Sequence, residues 1–257
     1  MPARNPVTNL VNRQGRLNHP VGRKDGKWYT LAWDSTHIPA TTVGTGGADP
    51  DFTLVGTGTI VAPTFVNSTS KYPGGMLFAT RTASAADNDF AGIFPATVSR
   101  WGHRIQPTTN NVQRLIGVVR TGASIAETSI RFGWKLTNAI AYATDDDQAF
   151  FTFDTDATPS TSSVVNWVAV NSTANADTYT NTGIAVAADT DYLLRVDVGA
   201  DLKSRFYIND VLVHTGSVAF ASASINLLPH FYVISRVDAG GAKSHAIRSM
   251  IRSHYTA

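Results

Sequence analysis

The sequence of 257 residues contains no cysteine and a single glutamate, Glu127. The lack of cysteine excludes disulfides, thiol nucleophiles and Cys-ligated zinc or iron–sulfur centres. A single glutamate also excludes mechanisms that need two, such as glycoside hydrolysis by paired glutamates. Charge is sparse as well, because only 16% of the residues are Asp, Glu, Lys or Arg, against about 25% in ordinary globular domains.

Residues that favour helices are equally scarce. The chain has 6 lysines and 1 glutamate, but 31 threonines, 19 serines and 18 aspartates. Threonine is stiff against a helical turn, and serine and aspartate bond to nearby backbone in caps and turns. This composition predicts an all-β protein and argues against a helix bundle or a doubly wound α/β enzyme.

Long apolar runs are also missing. No stretch approaches the roughly 20 apolar residues that cross a bilayer, and no apolar segment follows the charges at the N-terminus. We therefore expect no membrane partner and no signal peptide. The hydrophobic fraction of 43% is sufficient for the core of one large β domain, since such domains run to about 250 residues.

Residues 1–27 carry most of the net charge. They hold six basic residues against Asp25 alone, a local net charge of +5 in a chain whose total is +2. Frequent proline and glycine and few apolar residues give this segment nothing to bury. It is either a solvated tail or an arm that becomes ordered along an acidic partner; nucleic acid is the weaker partner, because the basic residues are spread singly. The candidate partner-binding residues are Arg4, Arg13, Arg16, Arg23, Lys24, Trp28 and Trp33.

Residues 28–75 alternate short strand-like runs with glycine-rich turns. Trp28 and Trp33 either anchor a partner or cover the edge of the core. Phe52 and Leu54 alternate in a second run, and Pro63 limits the strands here to a sheet margin. The chain is thus predicted to have three parts, which are a basic extended arm (1–27), an extended linker with edge strands (28–75) and a β-sandwich (76–257).

The rest of the chain reads as a series of short strands. Apolar runs are separated by turn residues at intervals of roughly 8–15 residues, a spacing typical of a β-sandwich. The predicted strands are 76–80, 113–120, 129–134, 139–143, 150–153, 167–170, 192–198, 204–208, 211–214, 227–235 and 244–253.

Two of these segments are especially regular. In 129–135, apolar and polar residues alternate, which predicts a strand with one dry face. In 192–214, three alternating runs follow one another, and Asn209-Asp210 stands where a tight hairpin turn requires positive φ. This is a predicted three-stranded meander, and its single apolar face requires a second sheet to cover it.

The hairpin sequence FYINDVLV, residues 206–213, resembles the hairpin of concanavalin-A-like and laminin-G-like jelly-roll domains. The apolar strand LLPHFYVISR and the terminal strand SHAIRSMIRS extend this resemblance toward the C-terminus. It implies a two-sheet antiparallel jelly-roll sandwich. Such domains, when joined to an extended arm and lacking cysteine, are similar to bacteriophage virion proteins, particularly head decoration (cement) proteins and tail-associated modules.

The resemblance implies a structural role in a phage particle and no enzyme activity or cofactor. The expected partners are the major capsid protein and the chain itself, as a homo-oligomer such as a trimer, and the expected location is the outer capsid surface of the virion. The alternative is a carbohydrate-binding or host-attachment module of a tail fibre. In that case the candidate glycan contacts are Trp101, Trp134 and Trp167.

One stretch of the chain is rich in carboxylates. Asp145, Asp146 and Asp147 precede a predicted strand, and Asp154 and Asp156 end it. These residues form a solvated acidic loop pair, a contact for a cation or a basic neighbour, or an acid–base pair. The EF-hand order of ligands is missing, and the seven histidines have no zinc-binding spacing, so no metal is expected. No nucleophile elbow and no phosphate-binding loop is present, which agrees with a non-enzymatic role.

Overall fold

The computed structural model of this protein describes most of the chain from residue 112 onward and selected strands before it. The described residues are 11–12, 16–17, 27–33, 39–40, 49–57, 63–66, 75–80, 87–95, 103–105, 112–137, 139–140, 145–156, 163–220, 225–236 and 241–256.

The regular elements of these residues are all strands. They are β1 (Val11–Asn12), β2 (Arg16–Leu17), β3 (Lys27–Trp33), β4 (Pro39–Ala40), β5 (Asp49–Gly56), β6 (Thr64–Val66), β7 (Gly75–Ala79), β8 (Phe90–Pro95), β9 (His103–Ile105), β10 (Val112–Arg120), β11 (Thr128–Lys135), β12 (Gln148–Asp154), β13 (Asn166–Thr173), β14 (Ala176–Ala185), β15 (Asp191–Val198), β16 (Ser204–Ile208), β17 (Val211–Thr215), β18 (Ile225–Ser235) and β19 (Ser244–Thr256).

Two large sheets contain nearly all of these strands. The eight-stranded sheet has the order β17-β16-β15-β10-β19-β7-β6, with β3 also paired to β19. The nine-stranded sheet has the order β14-β13-β12-β11-β18-β8-β5-β4, with β9 also paired to β18. Strand pairs are antiparallel except β4 with β5, and β1 and β2 form a small separate pair. The predicted all-β, two-sheet jelly-roll sandwich is confirmed. Among the described residues, no helix could span a membrane.

The core lies between the two sheets and is rich in aromatic side chains. Phe151 of β12 meets Trp167 of β13 and Phe206 of β16 edge to face, with ring centroids 6.3 and 5.3 Å apart. Both partners of Phe151 are fully buried. Because Phe206 belongs to the opposite sheet, this contact ties the two layers together. Each such aromatic pair contributes about 0.5–1.5 kcal/mol beyond its buried area.

The predicted meander is confirmed as β15, β16 and β17. Leu194 pairs with Ile208 across β15 and β16, and Ile208 pairs with Val211 across the hairpin. Asn209 and Asp210 have φ of 52° and 67°, the left-handed conformation that a two-residue hairpin turn requires.

Strands form in residues 28–75, the segment that was predicted to be an extended linker with edge strands. β3 pairs with β19, β5 pairs with β8, and β6 lies at the margin of the eight-stranded sheet beside β7. Pro63 directly precedes β6, as expected for an edge strand. The boundaries at residues 27 and 75 stay a prediction.

Three expectations about individual strands were wrong or incomplete. β11 does not have one dry and one wet face, because all eight of its residues are buried. Residues 139–140 lie outside any strand, and 141–143 lie outside the described residues. β8 and β14 were not predicted. The polar residues of β14 are half-buried or exposed at a sheet edge, so this strand has no apolar alternation to reveal it.

We expect Gly133→Ala to destabilise the fold by about 1–3 kcal/mol. A Cβ at this position of β11 would lie 2.4 Å from the Cα of Phe150 and 2.5 Å from the carbonyl oxygen of Ala149, so the strand pair would have to separate. Urea unfolding gives the free-energy change. The control is Gly241→Ala, where a Cβ meets nothing within 4 Å. Equal stability of the two variants would contradict this packing.

Candidate functional site

A row of polar side chains crosses the outer face of the nine-stranded sheet. Ile130, Phe132 and Trp134 of β11 point into the core, so the residues between them point outward. Arg131 and Lys135 are nevertheless 1% and 0% exposed. We call the buried outward-facing residues Arg131, Lys135, Gln148, Phe150, Asp154, His230 and Tyr232 the outer row.

Asp145 holds the turn that follows β11. Its carboxylate accepts bonds from the backbone N–H groups of Leu136 and Thr137, at 3.0 and 3.1 Å, and from the Thr137 hydroxyl at 2.6 Å. The Lys135 ammonium lies 3.5 Å from the same carboxylate. Burial lowers the pKa of Lys135 to about 8, and Asp145 opposes part of that shift. Asp145 therefore has a structural role in closing this turn.

Asp154 is neutralised by two arginines of its own chain. Arg236 donates to both carboxylate oxygens, at 2.9 and 2.6 Å, and Arg131 lies 4.0 Å away. The carboxylate itself is fully buried. Asp156, next to it, donates its backbone N–H to Asp154.

The acidic stretch is therefore not a solvated loop pair. Asp145, Asp147 and Asp154 are buried, and only Asp146 is exposed. Bases from neighbouring strands neutralise Asp145 and Asp154, so these two do not present charge to another copy. Among the described residues, no three His, Cys, Asp or Glu side chains are grouped as a metal site would require.

The centre of the outer row is Phe150. The Arg131 guanidinium carbon and the Lys135 nitrogen lie 5.9 and 5.6 Å from its ring centroid. His230 meets the same ring edge to face at 5.5 Å and is itself 4.8 Å from the ring of Tyr232. Burial, with Lys135 and Arg131 as further causes, lowers the pKa of His230 well below its ordinary value. The histidine is therefore neutral at pH 7.

A second candidate site is an open cleft of about 230 Å³ at the end of β10. Its apolar wall is formed by Leu77, Ala123 and Ala246, and polar groups come from Arg120 and Asp189. Thr121, Gly122 and Ser244 complete the lining. The side chains of Arg120 and Asp189 are 26% and 64% exposed, so a ligand can reach them.

Hydrogen bonds hold this cleft in shape. Arg120 is 3.5 Å from Asp189 and 3.4 Å from Asp191, and Asp191 also accepts from Arg248 at 2.7 Å. The Asp189 backbone N–H donates to the carbonyl of Gly122 at 3.0 Å. A Cβ on Gly122 would lie 2.2 Å from a backbone oxygen of β19, so glycine is required where the wall closes.

The tryptophans that were predicted to contact glycans do not form a surface. Trp134 and Trp167 are 1% and 0% exposed. The Trp134 indole N–H donates to the Val196 carbonyl at 3.2 Å, and Trp167 packs on Phe151 and other core rings. Because a buried indole cannot stack on a sugar, this expectation was wrong for both residues. Trp101 lies outside the described residues.

Most of the predicted arm contacts cannot be placed. Arg4, Arg13, Arg23 and Lys24 lie outside the described residues. The other three lie in strands of which only the backbone is described. These are Arg16 in β2 and Trp28 and Trp33 in β3.

Sequence reasoning missed both the outer row and the cleft. The alternation in β11 does place Arg131 and Lys135 outward, but nothing local indicates that this face is covered. Arg120 and Asp189 are 69 residues apart and meet only through the pairing of β10 with β15. No motif marks either of them.

The fold resembles those of several solved structures, although sequence identity to them is low. Neither a protein-family model nor a curated protein matches the chain. A protein of unknown function from Shewanella oneidensis MR-1 is 11% identical, with a TM-score of 0.59 over 97% of this chain and 92% of that one. Peanut lectin is 10% identical, with a TM-score of 0.56 over 90% and 99%. The carbohydrate recognition domain of Emp46p is 10% identical, with a TM-score of 0.51 over 86% and 97%.

These likenesses concern the fold. The structural neighbours are concanavalin-A-like and legume-lectin-like jelly-roll domains, in agreement with the resemblance of residues 206–213. Because sequence identity is only about 10%, the role of a residue in these proteins cannot be transferred to a residue of this chain. The bacteriophage origin stays a prediction.

The buried histidines predict a loss of stability in mild acid. Burial lowers the pKa of His245 to about 3, and that of His230 is also well below 6.5. Between pH 6.5 and 4.5 the unfolded chain takes up protons on both rings and the folded chain does not. The free energy of unfolding should fall by roughly 1 kcal/mol per histidine for each pH unit.

Urea unfolding at pH 7.0, 6.0 and 5.0 measures this slope. His230→Phe removes one titrating ring and keeps an aromatic side chain at this fully buried position. The variant should therefore show a shallower pH dependence than the unmodified protein. Identical slopes for the two proteins would show that His230 titrates normally.

Proposed function

We propose that the protein is a non-catalytic carbohydrate-binding module whose sugar site is the cleft beside Arg120. The observation that carries the proposal is an exposed Arg–Asp pair beside an apolar wall in an open cleft of about 230 Å³. The lectin-like folds among the structural neighbours support the same class of function.

The chemistry of the cleft suits a sugar ring. A guanidinium donates and a carboxylate accepts, so Arg120 and Asp189 together complement neighbouring hydroxyl groups, each of which does both. Leu77, which is half-buried, and Ala123, which is exposed, offer apolar contact to the C–H face of the ring. The volume lies below the roughly 300–1,000 Å³ of pockets for drug-sized ligands, which fits one monosaccharide unit.

The carboxylates near the cleft pair with an arginine and are not arranged as the two members of an acid–base pair. Asp189 and Asp191 both face Arg120. Glu127, the sole glutamate, pairs with Lys243 at 3.0 Å and does not line the cleft. We therefore propose recognition without turnover.

Replacing Arg120 by alanine should weaken glycan binding about tenfold to a hundredfold, because a hydrogen bond to a charged group is worth about 1.5–3 kcal/mol. Asp189→Asn should weaken it as well, since the amide presents one acceptor oxygen in place of two. Asparagine tolerates the positive φ of 50° at this position, so the fold is kept. A glycan array identifies the ligand, and isothermal titration calorimetry gives the affinities.

The matched control is Arg205→Ala. Arg205 lies on the same sheet and pairs with Asp201 at 2.6 Å, with a side chain that is 32% exposed. This variant also loses an arginine and a surface ion pair, but not at the cleft, and should bind normally. Binding that is unchanged in the Arg120 and Asp189 variants would place the sugar elsewhere. An array without any ligand would contradict the proposed function itself.

We propose capsid decoration as a second candidate function, because β3 is hydrogen-bonded to the β-sandwich. Lys27–Trp33 pairs with β19 through seven residue pairs. The basic segment that precedes β3 is therefore tied to the sandwich at its C-terminal end. An arm fixed in this way could lie along a neighbouring capsid subunit, and many weak copies would give firm attachment.

Neutralising the arm tests this second proposal in the full chain. Replacement of Arg4, Arg13, Arg16, Arg23 and Lys24 by glutamine should abolish co-sedimentation with capsids assembled from the major capsid protein of the same genome. The reason is that the arm would attach by charge pairing with the capsid. Added salt should therefore also reduce the co-sedimentation of the unmodified protein. A body variant, Lys203→Gln with Arg205→Gln, is the control. Equal co-sedimentation of all three proteins would reject the arm contact.

A further inference from the structure

We propose that the edge of the sandwich formed by β14 and β17 binds a second copy of this chain in a two-fold dimer. We call this surface the apolar edge; it consists of residues 164–165, 176–185 and 211–218. The cleft beside Arg120 lies on β10, which β15 and β16 separate from β17. The contact therefore leaves the cleft open, and the proposal does not depend on the sugar site.

The first observation is where the exposed apolar side chains lie. Within the described part of the chain, six large apolar side chains are exposed, and all of them lie in or next to β14 and β17. They are Val164, Val165, Ile184, Val211, Leu212 and Val218. Single exposed apolar residues are common on protein surfaces, but their concentration at one edge marks a contact surface.

The core extends to this edge and is open there. Val211 pairs with Ile208 across the hairpin, and Ile208 belongs to the core, so Val211 lies on the same face of the sheet. Among the described strands β17 is the last of its sheet, and Val211 is 63% exposed. Thr180 of β14 and His214 of β17 approach to 3.5 Å, which places the two edge strands side by side.

The second observation is that the apolar edge carries very little charge. β14 and β17 contain no lysine, arginine or proline, the residues that usually protect an edge strand from other chains. Their one acid is Asp177, which accepts hydrogen bonds from Gln148 and Tyr179 at 3.0 Å each. A two-fold contact places a surface against a copy of itself, so like charges would repel there. An edge with one acid and no base therefore fits a second copy better than an acidic or a basic partner.

The size of the apolar edge also fits a dimer. β14 has 10 residues, which span about 33 Å at about 3.3 Å per residue. Packed sheets lie about 10 Å apart, so an edge that includes the side chains of both outer faces is about 20 Å high. The pair of copies would bury roughly 1,300 Å², within the range of about 1,200–2,000 Å² for stable interfaces. Contact through one strand alone would bury about half of this, so both β14 and β17 take part.

Most of the exposed apolar side chains lie at one end of this edge. The Tyr192 hydroxyl donates to the carbonyl of Ala185 at 3.1 Å. The backbone N–H of Leu193 donates to the side-chain oxygen of Asn209, also at 3.1 Å. Because Tyr192 and Leu193 are neighbours, the end of β14 and the start of β17 lie at the same end of the sandwich. A two-fold axis parallel to the strands brings these ends together, so that β14 of each copy faces β17 of the other.

Side chains make this contact, and the strand ladder does not continue from one copy to the next. The pairing of β13 with β14 and the pairing of β16 with β17 both shift in register near these side chains. Such bulges interrupt the backbone hydrogen bonds that an edge strand can offer. In this arrangement Val165, which is 59% exposed, faces Val211 of the second copy.

Sedimentation velocity over a concentration series tests the dimer in the full chain, and we expect the unmodified protein to dimerise. Val165→Glu and Val211→Lys each place a charge in an apolar contact, and symmetry repeats the change. A loss of about tenfold at each of the two contacts raises the dissociation constant about a hundredfold. The control, Ala126→Lys, adds a charge in the exposed turn before β11 and should dimerise normally. A monomeric or trimeric unmodified protein would overturn the proposal, as would equal dissociation constants for all four proteins.

A mixture of the two variants tests which strands meet. In a mixed dimer the introduced glutamate faces the introduced lysine at one contact, and Val165 faces Val211 at the other. The mixture should therefore dimerise about tenfold more tightly, or more, than either variant alone. Recovery would also show that both variants are folded. If β14 faced β14 instead, every mixed contact would hold one unpaired charge, so a mixture as weak as the single variants would overturn this arrangement.

Discussion

Burial of the central strands β11 and β12 of the nine-stranded sheet on both faces is the constraint on which the rest of this structure depends. A sheet in a sandwich has to cover only its inner face, and the outer face then carries polar residues into water. Here the outward-facing Arg131, Lys135 and Asp154 are covered as well. Because an unpaired buried charge is very costly, each acid on this face must meet a base of the same chain. The pairs Lys135–Asp145 and Arg236–Asp154 meet that requirement.

The same constraint distinguishes charged residues that stabilise the fold from charged residues that a ligand can reach. Carboxylates that look reactive in the sequence are used to hold a turn and two strands, so they are not offered to a ligand. Groups that a large ligand can reach lie where strands end and turns begin, as Arg120 and Asp189 do. Rigid strands that position exposed side chains at their ends are a common arrangement for recognition. The fold alone does not decide the function, which depends on these particular side chains.

The two sheets therefore have different parts in the proposed activity. The eight-stranded sheet carries the open cleft and receives β3 along β19, so the proposed contacts with a sugar and with a capsid both lie on it. The nine-stranded sheet carries the covered outer row, and Asp145 and Asp154 beside or within this row are paired with bases of the same chain. Gly133 allows β11 and β12 to pair closely on that sheet, because a Cβ there would lie 2.4 Å from the Cα of Phe150.

Local patterns in the sequence were enough to determine the strand-rich body, the meander and its turn. Alternation in 192–198 and positive φ at Asn209 and Asp210 are properties of neighbouring residues, and they hold wherever the hairpin lies. The edge strand β14 escaped prediction because half-buried polar residues leave no alternation. Tertiary structure alone decided that Trp167 is buried, that Asp154 meets Arg236 across 82 residues, and that Arg120 faces Asp189. Charge pairing and burial depend on which strands become neighbours, and distant segments settle that only when they pack.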